Sequence, residues 1–262
     1  MTFNRLNRVT RNVKGELRNC NFWTSRKDFS SVINFDSETI LKVFQFSFDM
    51  TFGEKGVHRA HRSGGTHYRK NGELFINTFQ GKIAEFGIYN YFLEKGIKSD
   101  EPDLATWGEG KWDTTDLVVN GKKLNVKSTK SKGHLLLLET KDWNEEGKYI
   151  PNLEIDGGEY DYFILARADP DGERIMKDKR LYFSNDVSNQ ILKNIILNVE
   201  WKFDIVGFIT INDLINVISE KIIIKRGEYL NQWTRMDAEN YYVQSGDMNN
   251  IDELIKRLKS NS

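Results

Sequence analysis

Cysteine is nearly missing: Cys20 is the only one in 262 residues. That excludes an intramolecular disulfide and a cysteine-based zinc site, and it fits a reducing compartment. Proline is scarce too. Pro102, Pro151 and Pro170 are the only three, and none marks a long linker. There is no Gly/Ser tract and no internal repeat, so one domain over residues 1–262 is the simpler expectation. No apolar run approaches the ~18 residues a membrane span needs. The opening stretch MTFNRLNRVTRNVKGELRN has no apolar signal core. The sequence thus predicts a soluble, cytoplasmic protein with no membrane segment. Net charge is also absent, because 38 Lys and Arg offset 38 Asp and Glu. A polycation is excluded, and any nucleic-acid contact must come from local patches. What is present, 39% apolar and 12% aromatic residues, is enough for a substantial core and rules out disorder of the whole.

The charge is unevenly spread. Residues 1–27 carry seven Lys or Arg against Glu16 alone. Residues 55–70 carry five Lys or Arg, three of the four histidines and no acid. Residues 117–138 carry five lysines and no acid, directly after an acidic stretch from Asp100 to Asp116.

Apolar periodicity supplies a coarse structure. Gln80–Lys95 reads as a buried helix stopped by Gly96. Asp116–Val119 and Lys122–Thr129 read as strands joined by Asn120-Gly121, the strongest short hairpin signal. His134–Glu139, Tyr160–Ala166 and Phe203–Thr210 read as further strands. Val187–Leu197, Asn212–Ser219 and Ile251–Leu258 read as helices. The pattern is mixed α/β, a central sheet flanked by helices.

The hairpin carries chemistry. A two-residue turn at Asn120-Gly121 pairs Leu117 with Leu124 and Asp116 with Asn125. Alternation puts Asn125 and Lys127 on Asp116's face and sends Leu124 and Val126 into the core. Asp113 would face the other way. A carboxylate, an amide oxygen and an ammonium together suit metal-assisted phosphodiester hydrolysis. The oxygens hold a hard cation, which activates water, and the lysine orients that water and offsets developing charge.

The pattern resembles the PD-(D/E)XK nuclease superfamily, the fold of most type II restriction endonucleases. Asp116 matches its first acid and Asn125-Val126-Lys127 its second element, with Thr115 in place of the nominal proline. Asn125 stands where Asp or Glu is usual. It is either natural, as in a minority of restriction enzymes of this superfamily, or an inactivating substitution. Family members often carry a Glu on the preceding helix, and Glu85 takes that position. Ile88, Tyr89 and Phe92 surround it at ~100° per residue, so its carboxylate needs a partner. A site of metal and lysine would supply one; a structural ion pair would also serve. The resemblance covers roughly residues 79–210.

It implies a restriction-endonuclease-like α/β core and a Mg²⁺-dependent, sequence-specific endonuclease acting on double-stranded DNA and leaving 5′-phosphates. Asp116, the Asn125 oxygen, the Val126 carbonyl and Glu85 are the implied Mg²⁺ ligands, with Lys127 positioning water. Cutting both strands of a palindrome implies a homodimer. Ser128, Thr129, Lys130 and Lys132 are candidate contacts to the DNA backbone. Arg59, Arg62, Arg69 and Lys70 are candidates in a DNA-reading loop. The alternatives are a nuclease of the same fold in repair, junction resolution or phage defence, and a DNA-binding protein that has lost cleavage. The stretch Asn231–Tyr242, with Arg235 among its aromatics, reads equally as core, a second DNA contact or a dimer element.

Overall fold

The computed structural model describes residues 2–53, 69–104 and 115–260. Arg59, Arg62 and Asp113 lie outside the described residues. The chain opens with a hairpin of β1 (Asn7–Val13) and β2 (Glu16–Phe22), then a short β3 (Ile33–Asn34). Helix α1 (Ser37–Thr51) starts where the Asp36 side chain accepts from Thr39 N at 2.6 Å, an N-cap that satisfies one orphan donor. Helix α2 (Asn71–Glu94) ends before Gly96, which sits at φ +73°. It begins nine residues before the predicted Gln80. Phe75, Ile76 and Phe79 continue the apolar pattern in that direction and are fully buried.

Strands β4 (Leu117–Val119) and β5 (Lys122–Lys130) follow, then β6 (Leu135–Glu139), a short α3 (Leu153–Asp156) and β7 (Tyr162–Asp169). Helices α4 (Gly172–Asp178) and α5 (Asn189–Leu197) lead to β8 (Lys202–Thr210) and α6 (Ile211–Ser219). Helix α6 is started by a capping box between Thr210 and Asp213. The short strands β9 (Ile223–Ile224), β10 (Tyr229–Leu230) and β11 (Thr234–Arg235) precede β12 (Asn240–Gln244) and α7 (Ile251–Ser260).

The β4–β5 hairpin has the register read from the sequence: Val119 opposite Lys122, Val118 opposite Lys123, Leu117 opposite Leu124. Asn120 and Gly121 both take positive φ, 49° and 73°, as a type I′ turn requires. The ladder stops at Leu117, one residue short of Asp116.

Five strands form a mixed sheet in the order β3-β8-β7-β5-β4, with β5 and β7 parallel and the other pairs antiparallel. Two smaller sheets run β6-β12-β9 and β1-β2-β10-β11. The protein is α/β, with mixed sheets flanked by helices. On one face of the central sheet, Leu124, Val126, Ile164 and Ala166 pack with Ala84 and Ile88 of α2 and Leu254 and Leu258 of α7. Gly87 allows this closeness, since a Cβ there would lie 2.6 Å from the Phe203 ring. On the other face, Phe163, Leu165 and Ile209 pack with Leu136 and Leu138 of β6 and Leu214 and Val217 of α6. Among the described residues no helix is long and apolar enough to cross a membrane.

One buried ion pair ties the amino-terminal segment to this sheet. Arg167, 1% exposed, faces Asp204 across the β7–β8 ladder and grips its carboxylate with Nε at 2.8 Å and with Nη2. The remaining donors reach the Lys27 and Asp28 carbonyls at 2.9 and 2.7 Å. Removing the acid would strand a buried guanidinium. Asp204→Ala is expected to cost about 3–5 kcal/mol of unfolding free energy, read as a lower urea midpoint. Lys122→Ala, at the half-exposed Asp161 pair, is expected to cost less than about 1 kcal/mol.

Candidate functional site

The site grows from the alternation of β5. Leu124 and Val126 face the α2 side of the sheet. Asn125 and Lys127 face the other side, beside Phe163 and Leu165 of β7 in register. Asp116 lies just before β4, and its Oδ2 accepts from Val126 N at 2.7 Å. That bond extends the interaction between the two strands past the end of their ladder, so the carboxylate is pinned against β5 at the residue before Lys127.

Asn125 is the unusual member. It is 5% exposed, on a strand that is covered on this face by Tyr160, Phe163 and Trp143. Its side chain hydrogen-bonds the Tyr160 hydroxyl. Its Oδ1 is buried with no hydrogen-bond partner. The amide nitrogen therefore serves Tyr160, and the oxygen is left without a donor. A buried amide oxygen without a donor costs roughly 1–3 kcal/mol, and a cation would remove that cost.

Lys127 opens onto a cleft of about 580 Å³. Ser128, Thr129 and Lys130 of β5 line it as well, with Glu139, Asp142 and Trp143. Asn77 and Gln80 of α2, Arg69 and Asn240 are also part of its lining. Asp116 and Asn125 lie deeper along the hairpin and do not line the cleft. Among the described residues Lys127 has no hydrogen bond or ion pair. Most neighbouring lysines are engaged. Lys122 pairs with Asp161 at 2.9 Å, Lys123 with Asp156 at 2.7 Å, and Lys130 with Glu173 at 2.7 Å and Asp171 at 3.1 Å.

The other predicted site residues take varied positions. Glu85 is buried on α2, where Ala84 and Ile88 pack with Leu124 and Val126, and its Oε2 meets Lys82 Nζ at 2.6 Å. Lys82 also lies 5.4 Å from the centre of the Phe46 ring of α1. The pair thus sits toward the α1 side, one helical turn apart in sequence, which is why periodicity alone could not exclude it. Lys130 has its ammonium held by two carboxylates rather than presented to a phosphate. Burial pushes the Glu173 carboxyl up, but Lys130 and Lys177 outweigh it and hold it below the usual carboxylate range. Lys132 is exposed in the turn after β5 and does not line the cleft. Lys70 is the N-cap residue of α2, while Arg69 beside it reaches the cleft.

Asn77 lies before the helix start that the sequence predicts at Gln80. With α2 beginning at Asn71, Glu73, Asn77 and Gln80 follow at i, i+4 and i+7. Tyr160 was read only as a strand residue, and its hydroxyl could be placed only with the β5–β7 pairing known.

Among the described residues no three His, Cys, Asp or Glu side chains are grouped to hold a metal. The oxygen donors here are the Asp116 carboxylate and the Asn125 amide. Comparison with known proteins finds no match: no family model, no curated protein and no solved structure is similar to this chain.

Burial, and the Asp116 charge beside it, push the Tyr160 hydroxyl well above its ordinary range, against the opposing Asn125 hydrogen bond. A raised folded-state value means the folded protein keeps the proton after the unfolded chain has lost it. Stability is then intact below pH ~10, the unfolded value, and falls as pH rises above it. Tyr160→Phe is expected to flatten that alkaline decline in urea midpoints. Part will persist, because Tyr91, Tyr241 and Tyr242 are shifted up as well.

Proposed function

We propose that the protein is a Mg²⁺-dependent endonuclease on a restriction-endonuclease-like core that cuts double-stranded DNA at specific sequences. One observation carries the reading. The Asp116 carboxylate is held against β5 by Val126 N, Asn125 next to it keeps a buried oxygen without a donor, and Lys127, which has no hydrogen bond or ion pair among the described residues, lines a cleft. Few structural roles account for all three. A polar strand face that only decorates a surface would be exposed, and a structural lysine would have a carboxylate.

The donor set fits Mg²⁺, which commonly takes one or two carboxylates and leaves its other positions to water and substrate phosphate. Asp116, through the oxygen not engaged by Val126 N, and Asn125 would hold it. When bound, the ion would polarise the phosphate and make its water more acidic. Lys127 orients the attacking water through its ammonium group and offsets negative charge developing on the phosphate. Ser128 and Thr129 can donate to phosphate oxygens in the same cleft. Asn77 and Gln80 offer further donors from the α2 side. Glu85 has no part in this scheme. Two scissile bonds, one on each strand, call for two copies of the site and so a homodimer.

A second reading has its own support. Asn125 brings no charge where a carboxylate would strengthen cation binding, so the same cleft could bind DNA without cutting it.

Incubation of the chain with unmethylated phage DNA, in Mg²⁺ and in EDTA, tests both. Discrete fragments in Mg²⁺ alone are expected, with Lys127→Ala slowing cleavage by roughly 10²–10³-fold. Glu85→Gln is expected to cut at a rate near that of the parent. Silence from the parent with cutting by Asn125→Asp would make Asn125 the inactivating position. Silence from both, with a gel shift retained, would leave the binding reading standing and defeat cleavage.

A further inference from the structure

The two charge features least explained by the cleft meet in one place. The β1–β2 hairpin carries Arg8, Arg11, Lys14 and Arg18 against Glu16. Strand β10 pairs in parallel with β2, setting Tyr229 beside Cys20 and Leu230 beside Asn21. This brings Lys225, Arg226 and Arg235 against the hairpin, more than 200 positions away in sequence, and the two segments enclose a shallow groove of about 400 Å³ between them. Seven cations therefore share one small sheet with the acids Glu16 and Glu228. Both acids are occupied. Glu228 Oε1 meets Arg8 at 2.5 Å and Glu16 meets Arg18 at 2.7 Å. Lys225, Arg226 and Arg235 are exposed and have no ion pair among the described residues.

The hairpin is shaped to approach a polyanion. Strand β1 lies at the edge of its sheet and is exposed along all but its last residue. At ~3.3 Å per residue its seven residues reach roughly 23 Å. The face holding Arg8, Thr10, Asn12, Asn19 and Asn21 is polar except for Leu17, which stands opposite Asn12. A two-stranded ribbon of this kind fits the major groove of duplex DNA, where Arg and Asn side chains read base edges. Trp233, 66% exposed in the turn between β10 and β11, adds an apolar contact beside the cations. An edge strand bearing Arg and Lys is a poor template for pairing with another protein strand.

We propose that the sheet β1-β2-β10-β11, with the segment 225–235, is a duplex-DNA-binding surface separate from the cleft. Lys225, Arg226 and Arg235 hold backbone phosphates there, and the hairpin enters the major groove. The choice of duplex DNA as partner rests on the reading of the cleft, whereas the surface shares no residue with it.

The test is fluorescence anisotropy of a labelled mixed-sequence duplex with the full chain in EDTA, over a series of salt concentrations. The variants are the triple change Lys225→Ala, Arg226→Ala and Arg235→Ala, and separately Lys256→Ala, an exposed lysine of α7 outside both the groove and the cleft. All four side chains lack an ion-pair partner among the described residues, and circular dichroism checks that the fold is kept. The triple variant is expected to bind tenfold or more weakly near ~0.1 M salt, with the slope of log affinity against log salt reduced by about 2–3, while Lys256→Ala stays within a few-fold of the parent. A triple variant that binds like a DNA-binding parent overturns this surface and leaves the cleft reading intact. Equal competition by single-stranded DNA overturns the groove-entering ribbon. A parent that binds no duplex overturns the surface and the nuclease reading together.

Discussion

Strand β5 is packed on both faces, and this constrains every polar side chain it carries. On one side α2 and α7 press on Leu124 and Val126. On the other, an aromatic group including Trp143, Tyr160 and Phe163 covers the strand up to the point where Lys127 emerges. A polar group in such a setting is stable only with a partner, because desolvation is otherwise uncompensated. Asp116 spends one oxygen on the Val126 amide. Asn125 spends its nitrogen on Tyr160 and keeps its oxygen unspent. The site is thus defined by what the surrounding core leaves unsatisfied.

The same rule separates structural charges from candidate functional ones elsewhere. Arg167 is more deeply buried than Asn125 or Asp116, yet Asp204 and two backbone carbonyls take four of its five donors. It anchors residues 27–28 and needs no ligand. Glu85 is likewise buried and matched by Lys82. Lys130 lines the cleft but is neutralised by Asp171 and Glu173. Position in a cleft is therefore weaker grounds for function than an unmatched charge or an orphaned dipole. By that measure Lys127 and Asn125 stand out from their neighbours.

Charge neutrality of the whole chain hides two surfaces of unlike charge. The cleft is mixed, with Glu139, Asp142 and Glu173 facing Lys127 and Arg69. The sheet built on the amino-terminal hairpin is strongly basic. A polyanion would be attracted mainly by the latter and handled chemically at the former, since the longer-ranged part of the attraction depends on clustered, unpaired cations.

Sequence alone determined the elements whose signals are local. The Asn120-Gly121 turn required positive φ at both positions, so it set the β4–β5 register and with it the shared face of Asn125 and Lys127. Period-2 and period-3.6 patterns marked the central strands and most of the longer helices to within a few residues. The N-terminal half of α2 escaped because a helix apolar on most sides shows little periodicity, and α1 and the strands β1, β2 and β10 were not read at all. Only the tertiary structure decided which face of the sheet α2 covers, and that Glu85 meets Lys82. It also decided which lysines find carboxylates, that Tyr160 meets Asn125, and that residues 225–235 join residues 7–22. Those are contacts between segments far apart in the chain, set by how whole layers pack, and no local spacing encodes them.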